Sequence, residues 1–99
     1  MKVVMDEMNE NPQSTVESEE DVVTGEPAKV ILFNDDIHTF DEVIGQLIKA
    51  LRCTQARAEG LAAEAHNNGK AVVYSGELIR CMEVSNILEE IQLMTQIEM

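Results

Sequence analysis

The sequence "VILFNDDIHTFDEVI", residues 30–44, combines the signals of a strand, a polar loop and a helix. Its apolar, β-branched beginning predicts a strand over residues 29–34 that is packed on both faces or central in a small sheet. Thr39 and Glu42 then form a Thr-x-x-Glu capping box. An amphipathic helix is predicted over residues 40–52 because apolar side chains follow at helical spacing. These are Phe40, Val43, Ile44, Leu47, Ile48 and Leu51.

A second helix is predicted directly after the first. Thr54 is placed to cap its first turn, and the motif "HNNG" ends it, with Gly69 suited to a left-handed position. The apolar face of this helix is made of small residues, so it can approach a neighbour closely. That face consists of Ala58, Leu61, Ala62 and Ala65.

The remainder of the chain predicts a strand, a helix and a strand. "KAVVYS", residues 70–75, is bounded by glycines and is typical of a strand. A third helix is predicted from Ser75 or Gly76 to about Glu90, and "LMTQIE", residues 93–98, predicts a short final strand. The inner stripe of the third helix is predicted to be Cys81, Val84, Leu88 and Ile91.

Length, charge and cysteine content exclude several classes of protein. Ninety-nine residues suffice for one small domain. A net charge of −12 disfavours nucleic acid and anionic membranes as partners. Cys53 and Cys81 stand outside any Cys-x-x-Cys spacing, so neither a metal site nor a disulfide framework is predicted, and no cofactor is implied. Without a signal-peptide or membrane-span pattern, the chain is expected to be a soluble cytoplasmic protein with reduced thiols.

The charge is concentrated at the beginning of the chain. Residues 1–27 carry eight of the nineteen acidic residues against one lysine, with no aromatic residue and no sustained apolar period. Such a segment cannot bury enough surface to offset its ordering entropy, so we expect a disordered acidic extension, followed by a folded domain over residues 28–99. The extension is either a solubilising tail or a segment that binds a partner within a complex.

Two polar features stand apart from the folding pattern. Asn34, Asp35 and Asp36 follow the first strand, where turn chemistry is a sufficient structural explanation. His66 lies at the end of a helix otherwise lined with Ala and Leu, where a structural histidine is the ordinary interpretation. Together, however, Asn34, Asp35 and His66 can offer an amide oxygen, a carboxylate and an imidazole nitrogen to an ammonium group. His38 is interpreted as an exposed loop histidine without a task.

At these residues the sequence resembles the ClpS family. "VILFNDDIHTFDEVI" and "EAHNNGKAVVYSGE" carry the resemblance, which extends over residues 28–98. It implies an α+β fold in which a small three-stranded antiparallel sheet packs against three helices in the order β-α-α-β-α-β. It also implies an adaptor that binds the first residue of a substrate, Leu, Phe, Tyr or Trp, as an N-degron. The substrate would be delivered to a ClpA- or ClpC-like AAA+ unfoldase, which the N-terminal extension would engage.

The resemblance also implies which residues form the binding site. Asn34, Asp35 and His66 would hold the free α-amino group, with Asp36 and Thr39 supporting the loop. The pocket for the substrate side chain would be formed by Phe40, Val43, Ala62, Ala65 and Leu93. Many relatives place Met where this chain has Phe40, and Met and Val where it has Ala62 and Ala65. We therefore expect a deeper pocket that favours aromatic over Leu side chains.

Two other functions remain open at the level of sequence. In an enzyme, Asp35 and His66 would act as an acid and base pair with Cys53 or Cys81 as nucleophile, although no Gly-rich oxyanion turn accompanies them. Alternatively, a diverged ClpS-like module would bind the unfoldase and modulate its substrate choice without binding N-degrons. Peptides that differ only in their first residue distinguish the three functions by selective binding, turnover or lack of binding.

Overall fold

The computed structural model describes residues 27–99. The predicted acidic extension over residues 1–27 therefore lies outside the described residues, apart from Pro27. Strands and helices follow one another in the predicted order β-α-α-β-α-β: β1 Ala28–Phe33, α1 Phe40–Leu51, α2 Gln55–Asn68, β2 Lys70–Gly76, α3 Leu78–Glu89 and β3 Thr95–Glu98.

The three strands form one antiparallel sheet in the order β2-β1-β3. The first strand is central, as its continuous apolar run predicts. Its pairing with β2 shifts register between Val30 and Ile31, which marks a bulge. On the other side, Val30 pairs with Ile97 and Leu32 with Thr95. The predicted three-stranded sheet is thus confirmed.

Both predicted N-terminal caps are present. The Thr39 side chain accepts a hydrogen bond from the Glu42 amide at 3.1 Å, and the Glu42 carboxylate accepts one from the Thr39 amide at 2.8 Å. Thr54 caps α2 by accepting from the Arg57 amide at 3.1 Å. Gly69 ends α2 with φ 88°, the left-handed conformation for which glycine is favoured.

One core joins the helices to a single face of the sheet. Val30 and Leu32 belong to it together with the inner residues of all three helices. Helix α2 packs on β2 and α3 packs on β1, while α1 lies against the other two helices. The fully buried large side chains are Val30, Leu32, Leu47, Val73, Cys81, Val84 and Leu88.

The structure corrects the predicted start of α3. The predicted start at Ser75 or Gly76 is wrong because these residues pair with β1 as the end of β2. The helix begins at Leu78 instead. Ile91, predicted on the inner stripe, lies beyond the last helical residue but packs against the core. Within residues 27–99, no helix combines the length and hydropathy that crossing a bilayer requires.

Candidate functional site

A cavity of about 400 Å³ opens where β1 ends. It is bounded by the β1–α1 loop, the start of α1, the second half of α2 and the α3–β3 loop. All eight residues predicted for amine binding and for the pocket wall line this one cavity. The full set of lining residues is Leu32, Phe33, Asn34, Asp35, Asp36, His38, Phe40, Val43, Ala62, Ala65, His66 and Leu93.

Two backbone hydrogen bonds fix the chain as it leaves β1. The Asn34 amide donates to the Gly69 carbonyl at 2.9 Å, and the Phe33 amide donates to the Met94 carbonyl at 3.0 Å. Gly69 caps α2 three residues after His66, so the first bond brings Asn34 to the end of the helix that carries His66. The polar loop is therefore held between the ends of α2 and α3.

The Asp35 carboxylate accepts hydrogen bonds mainly from its own loop. Its Oδ1 accepts hydrogen bonds from the amides of Ile37 and His38, both at 3.0 Å, and its Oδ2 lies 2.7 Å from Nδ1 of His38. The backbone bond from His38, reinforced by its side chain and by the Ile37 amide, lowers the pKa of Asp35 below its usual 3.8. The structural explanation of the acidic loop thus holds for Asp35, which keeps one free acceptor position on Oδ2.

Asp36 and Thr39, the two predicted supporting residues, do different things. The Asp36 carboxylate is exposed, lines the cavity and takes no part in the hydrogen bonds that Asp35 accepts within the loop. It therefore presents a negative charge to any ligand that enters the cavity. Thr39 is not among the lining residues; it supports the site by capping α1, which starts at the rim of the cavity.

The interpretation of His38 as an exposed loop histidine is wrong. Its side chain is only 9% exposed, because the ring lies between Asp35 and the backbone carbonyl of Ile91, to which Nε2 is hydrogen bonded. The hydrogen bond to Asp35, followed by that to Ile91, raises the pKa of His38 above its usual 6.5. A histidine three residues after an aspartate in a tight loop was the sequence signal for this contact.

The apolar end of the cavity combines large and small side chains. Phe40 is 46% exposed and stands at the open rim. Ala62, Ala65 and Leu93 are almost fully buried, and the two alanines leave their side of the cavity lined by methyl groups only. The end of β1 adds Leu32 and Phe33, two lining residues that sequence reasoning missed.

The cavity contains acceptors and apolar surface but no thiol or hydroxyl nucleophile. Cys53 and Cys81 do not line it, and burial raises the pKa of the Cys81 thiol, which makes that thiol inert. Within residues 27–99, His, Cys, Asp and Glu form no group of three that could hold a metal ion. This arrangement can bind a cation beside an apolar group.

Comparison with known proteins decides the family. The sequence model of a family described as "ATP-dependent Clp protease adaptor protein ClpS" matches residues 24–96. The chain belongs to the ClpS family. Its fold is shared with Agrobacterium tumefaciens ClpS2, whose solved structure was obtained bound to L-phenylalaninamide. That match has a TM-score of 0.71 and 23% identity, and covers 76% of this chain and 98% of ClpS2.

This ClpS-family domain is also similar to small parts of much larger proteins. It is 36% identical over 58 residues to the human E3 ubiquitin-protein ligase UBR2, a match that covers 59% of the chain and 3% of the ligase. The Drosophila melanogaster E3 ubiquitin-protein ligase UBR1 is 33% identical over 67 residues, which cover 68% of the chain and 4% of the ligase. The chain thus spans only a few per cent of the curated relatives it matches.

Proposed function

We propose that this protein is a non-enzymatic adaptor that binds the first residue of substrate proteins and delivers them to a Clp AAA+ unfoldase in the cytoplasm. One observation carries the proposal. A single cavity brings hydrogen-bond acceptors and a negatively charged loop next to an apolar pocket of side-chain size. A free N-terminus with a bulky apolar first residue has the matching parts, an ammonium group and a hydrophobic side chain.

The polar end of the cavity receives the α-ammonium group. An ammonium group has three N–H donors, and Asn34, Asp35 and His66 offer an amide oxygen, the free position on Oδ2 and a ring nitrogen. Asp36 adds a second carboxylate at the same end, without competing contacts in the loop. Because Asp35 is already shared with His38, Asp36 contributes much of the electrostatic attraction.

The apolar end receives the first side chain. Phe40 and Val43 of α1 face Ala62 and Ala65 of α2, with Leu93 completing the wall. The molecule bound to A. tumefaciens ClpS2, L-phenylalaninamide, has a free α-amino group and an aromatic side chain, which supports this assignment. Leu, Phe, Tyr and Trp are the proposed first residues.

The expected affinity suits capture followed by release. Hydrogen bonds to charged groups contribute about 1.5–3 kcal/mol each, and burial of a large apolar side chain contributes about as much again. After the costs of association, a dissociation constant in the micromolar range, about −8 kcal/mol, is reasonable. An internal peptide segment lacks the ammonium group and would leave the Asp36 carboxylate and the free position on Oδ2 of Asp35 without a partner, which explains selectivity for chain beginnings.

Binding experiments with peptides that differ only in their first residue test this function. We expect peptides that begin with Phe, Tyr, Trp or Leu to bind in fluorescence anisotropy titrations, and peptides that begin with Ala or Glu to bind far more weakly. Mass spectrometry of the same mixtures should find every peptide intact. Turnover would support the enzyme instead, and absence of binding by all peptides would support a module that only modulates the unfoldase.

Delivery is proposed to depend on residues 1–27. Their acidic composition and their position before the domain suit a segment that contacts the ClpA- or ClpC-like partner. The sheet and its three helices begin at Ala28, so removing residues 1–27 should leave peptide binding unchanged. The truncated protein should lose stimulation of degradation by the unfoldase and protease. Loss of peptide binding by a truncated but folded domain would contradict this division.

A further inference from the structure

The His38 side chain connects the loop that follows β1 to the loop that follows α3, which carries the cavity residue Leu93. Its Nδ1 lies 2.7 Å from Oδ2 of Asp35, and its Nε2 is hydrogen bonded to the carbonyl oxygen of Ile91. The ring is therefore placed between the loop that follows β1 and the loop that follows α3. It is largely buried there, with a 9% exposed side chain.

Both partners of the ring are acceptors. A neutral imidazole donates from one nitrogen only, so it can satisfy either Asp35 or Ile91 but not both. The imidazolium form donates from both nitrogens and satisfies the carboxylate and the carbonyl together. The direction of the pKa shift of His38, upward because of Asp35 and then Ile91, agrees with that geometry.

The charges around the ring also favour the imidazolium. Asp35 faces it from its own loop, and Glu42 in the first turn of α1 adds a weaker attraction. From the α3–β3 loop the contact is an uncharged carbonyl. Asp36 and His66 line the same cavity, from the loop and from α2. The balance of fixed charge near His38 is negative.

The α3–β3 loop is shaped to present its carbonyl. After α3 ends, Gln92 adopts a left-handed conformation with φ 66°, and its amide donates to the Glu89 carbonyl at 2.9 Å. This tight turn leaves the Ile91 carbonyl directed at His38 and places Leu93 in the cavity wall. Leu93, which closes the apolar end, is therefore two residues from the hydrogen bond to His38.

We propose that His38 is a positioning residue of the binding site, which as an imidazolium holds the Asp35 carboxylate and the Ile91 carbonyl at once and so fixes the amine-binding loop against the loop that carries Leu93. This role rests on the proposed N-terminal binding function. One side chain then sets the distance between the group that binds the amine and part of the wall that binds the first side chain.

The direct test is His38→Gln in the chain of residues 1–99. Gln can donate to Asp35 but is too short to reach Ile91 as well. We expect it to weaken binding of a Phe-initiated peptide by about fivefold, within the coupling range of residues in one hydrogen-bond network. Combined with Asp35→Asn, the two effects should be less than additive, because both break the same network.

A matched control is Gln46→Ala. Gln46 also joins α1 to the end of α3, by donating from Nε2 to the Ile87 carbonyl and to Glu90, but it does not line the cavity. Its loss should lower the unfolding temperature without changing peptide affinity, and its effect should simply add to that of Asp35→Asn. A His38→Gln variant that behaves like this control, with lower stability and unchanged affinity, would overturn the positioning role.

Nuclear magnetic resonance of the ring nitrogens in the ligand-free wild-type protein provides a readout that does not depend on a variant at position 38. The chain has two histidines, so the resonances of His38 can be assigned by comparison with a His66 variant. Because the pKa of His38 is raised above its usual 6.5, we expect both ring nitrogens to be protonated in most molecules at pH 6.5. A neutral ring with one protonated nitrogen would overturn the proposal. If wild type binds no Phe-initiated peptide while His38 is doubly protonated, the proposed function fails and the positioning role fails with it.

Discussion

The polar and apolar ends of the cavity are built by different means. At the polar end, Asn34, Asp35 and His38 are held in place by hydrogen bonds to the ends of α2 and α3 and to their own loop. At the apolar end, Val43 of α1 and Ala62 and Ala65 of α2 are held by packing against the core. Geometry at the polar end is therefore determined by a few directional bonds, whereas the apolar end is determined by volume.

This difference predicts how each end responds to mutation. Removal of one partner from a hydrogen-bond network leaves a polar group unsatisfied, so effects at the polar end should be large and coupled. A change of side-chain volume at the apolar end should alter which substrates fit rather than whether they bind. Peptide affinity should therefore change most when the polar end or the substrate amine is altered.

Blocking the substrate amine should have the largest effect. N-terminal acetylation of a Phe-initiated peptide removes the positive charge and two N–H donors but leaves the side chain unchanged. We expect affinity to fall by at least about tenfold, since at least one charge-assisted hydrogen bond worth about 1.5–3 kcal/mol is lost. Anisotropy titrations of the free and acetylated peptides measure it. Equal affinities would show that the polar end does not bind the amine.

The two carboxylates should be distinguishable. Asp35→Ala removes both a proposed amine acceptor and the hydrogen bonds that shape the loop, so we expect affinity to fall about tenfold or more and the unfolding temperature to fall with it. Asp36→Ala removes only an exposed charge. It should lower peptide affinity about as much as Asp35→Ala does, while thermal stability stays unchanged. Calorimetry and peptide titration of both variants check this. An Asp36→Ala protein with wild-type affinity would leave Asp35 as the amine-binding carboxylate.

The two ends also differ in how far the sequence predicts them. The order of elements and the Thr39 and Thr54 caps follow from periodicity and capping chemistry, which are local. The residues of the apolar wall were implied by the resemblance to the ClpS family. The role of His38 depends on Ile91, fifty-three residues away, and on a left-handed turn at Gln92 that no local pattern indicates. The start of α3 was also predicted too early, because continued pairing with β1 extends β2 to Gly76. Long-range contacts account for both errors.

Filling the apolar end should change substrate choice by a smaller factor. Ala62 is buried in the cavity wall, and Met at this position projects into the space that an aromatic side chain would occupy. Wild type should prefer Phe, Tyr or Trp over Leu by about threefold to tenfold, since an aromatic contact with Phe40 adds about 0.5–1.5 kcal/mol beyond area burial. Ala62→Met should move the preference back toward Leu. Wild type that prefers Leu over the aromatic residues, or a ranking unchanged in Ala62→Met, would show that α2 does not set the depth of the pocket.

The smallest expected effect is the pH dependence of stability at the polar end. The pKa of His38 is raised on folding, so the stability it contributes is fully present below its usual value of 6.5 and is lost as the pH rises through its folded value. The pKa of Asp35 is lowered on folding. Its contribution to stability is therefore present above pH 3.8 and is lost as the pH falls through the pKa of Asp35 in the folded protein. Both contributions to stability are therefore complete between pH 3.8 and pH 6.5.

The difference in unfolding temperature between wild type and His38→Gln isolates this contribution, because His66 and all the carboxylates are common to both proteins and largely cancel. We expect wild type to be more stable by a few degrees near pH 5.5 and the difference to shrink steadily toward pH 9. Thermal unfolding followed by circular dichroism at several pH values measures it. A difference that stays constant or grows with pH would mean that His38 stabilises the loop as a neutral ring. His38 would then donate to Asp35 or to Ile91, and one hydrogen bond rather than two would hold the polar end.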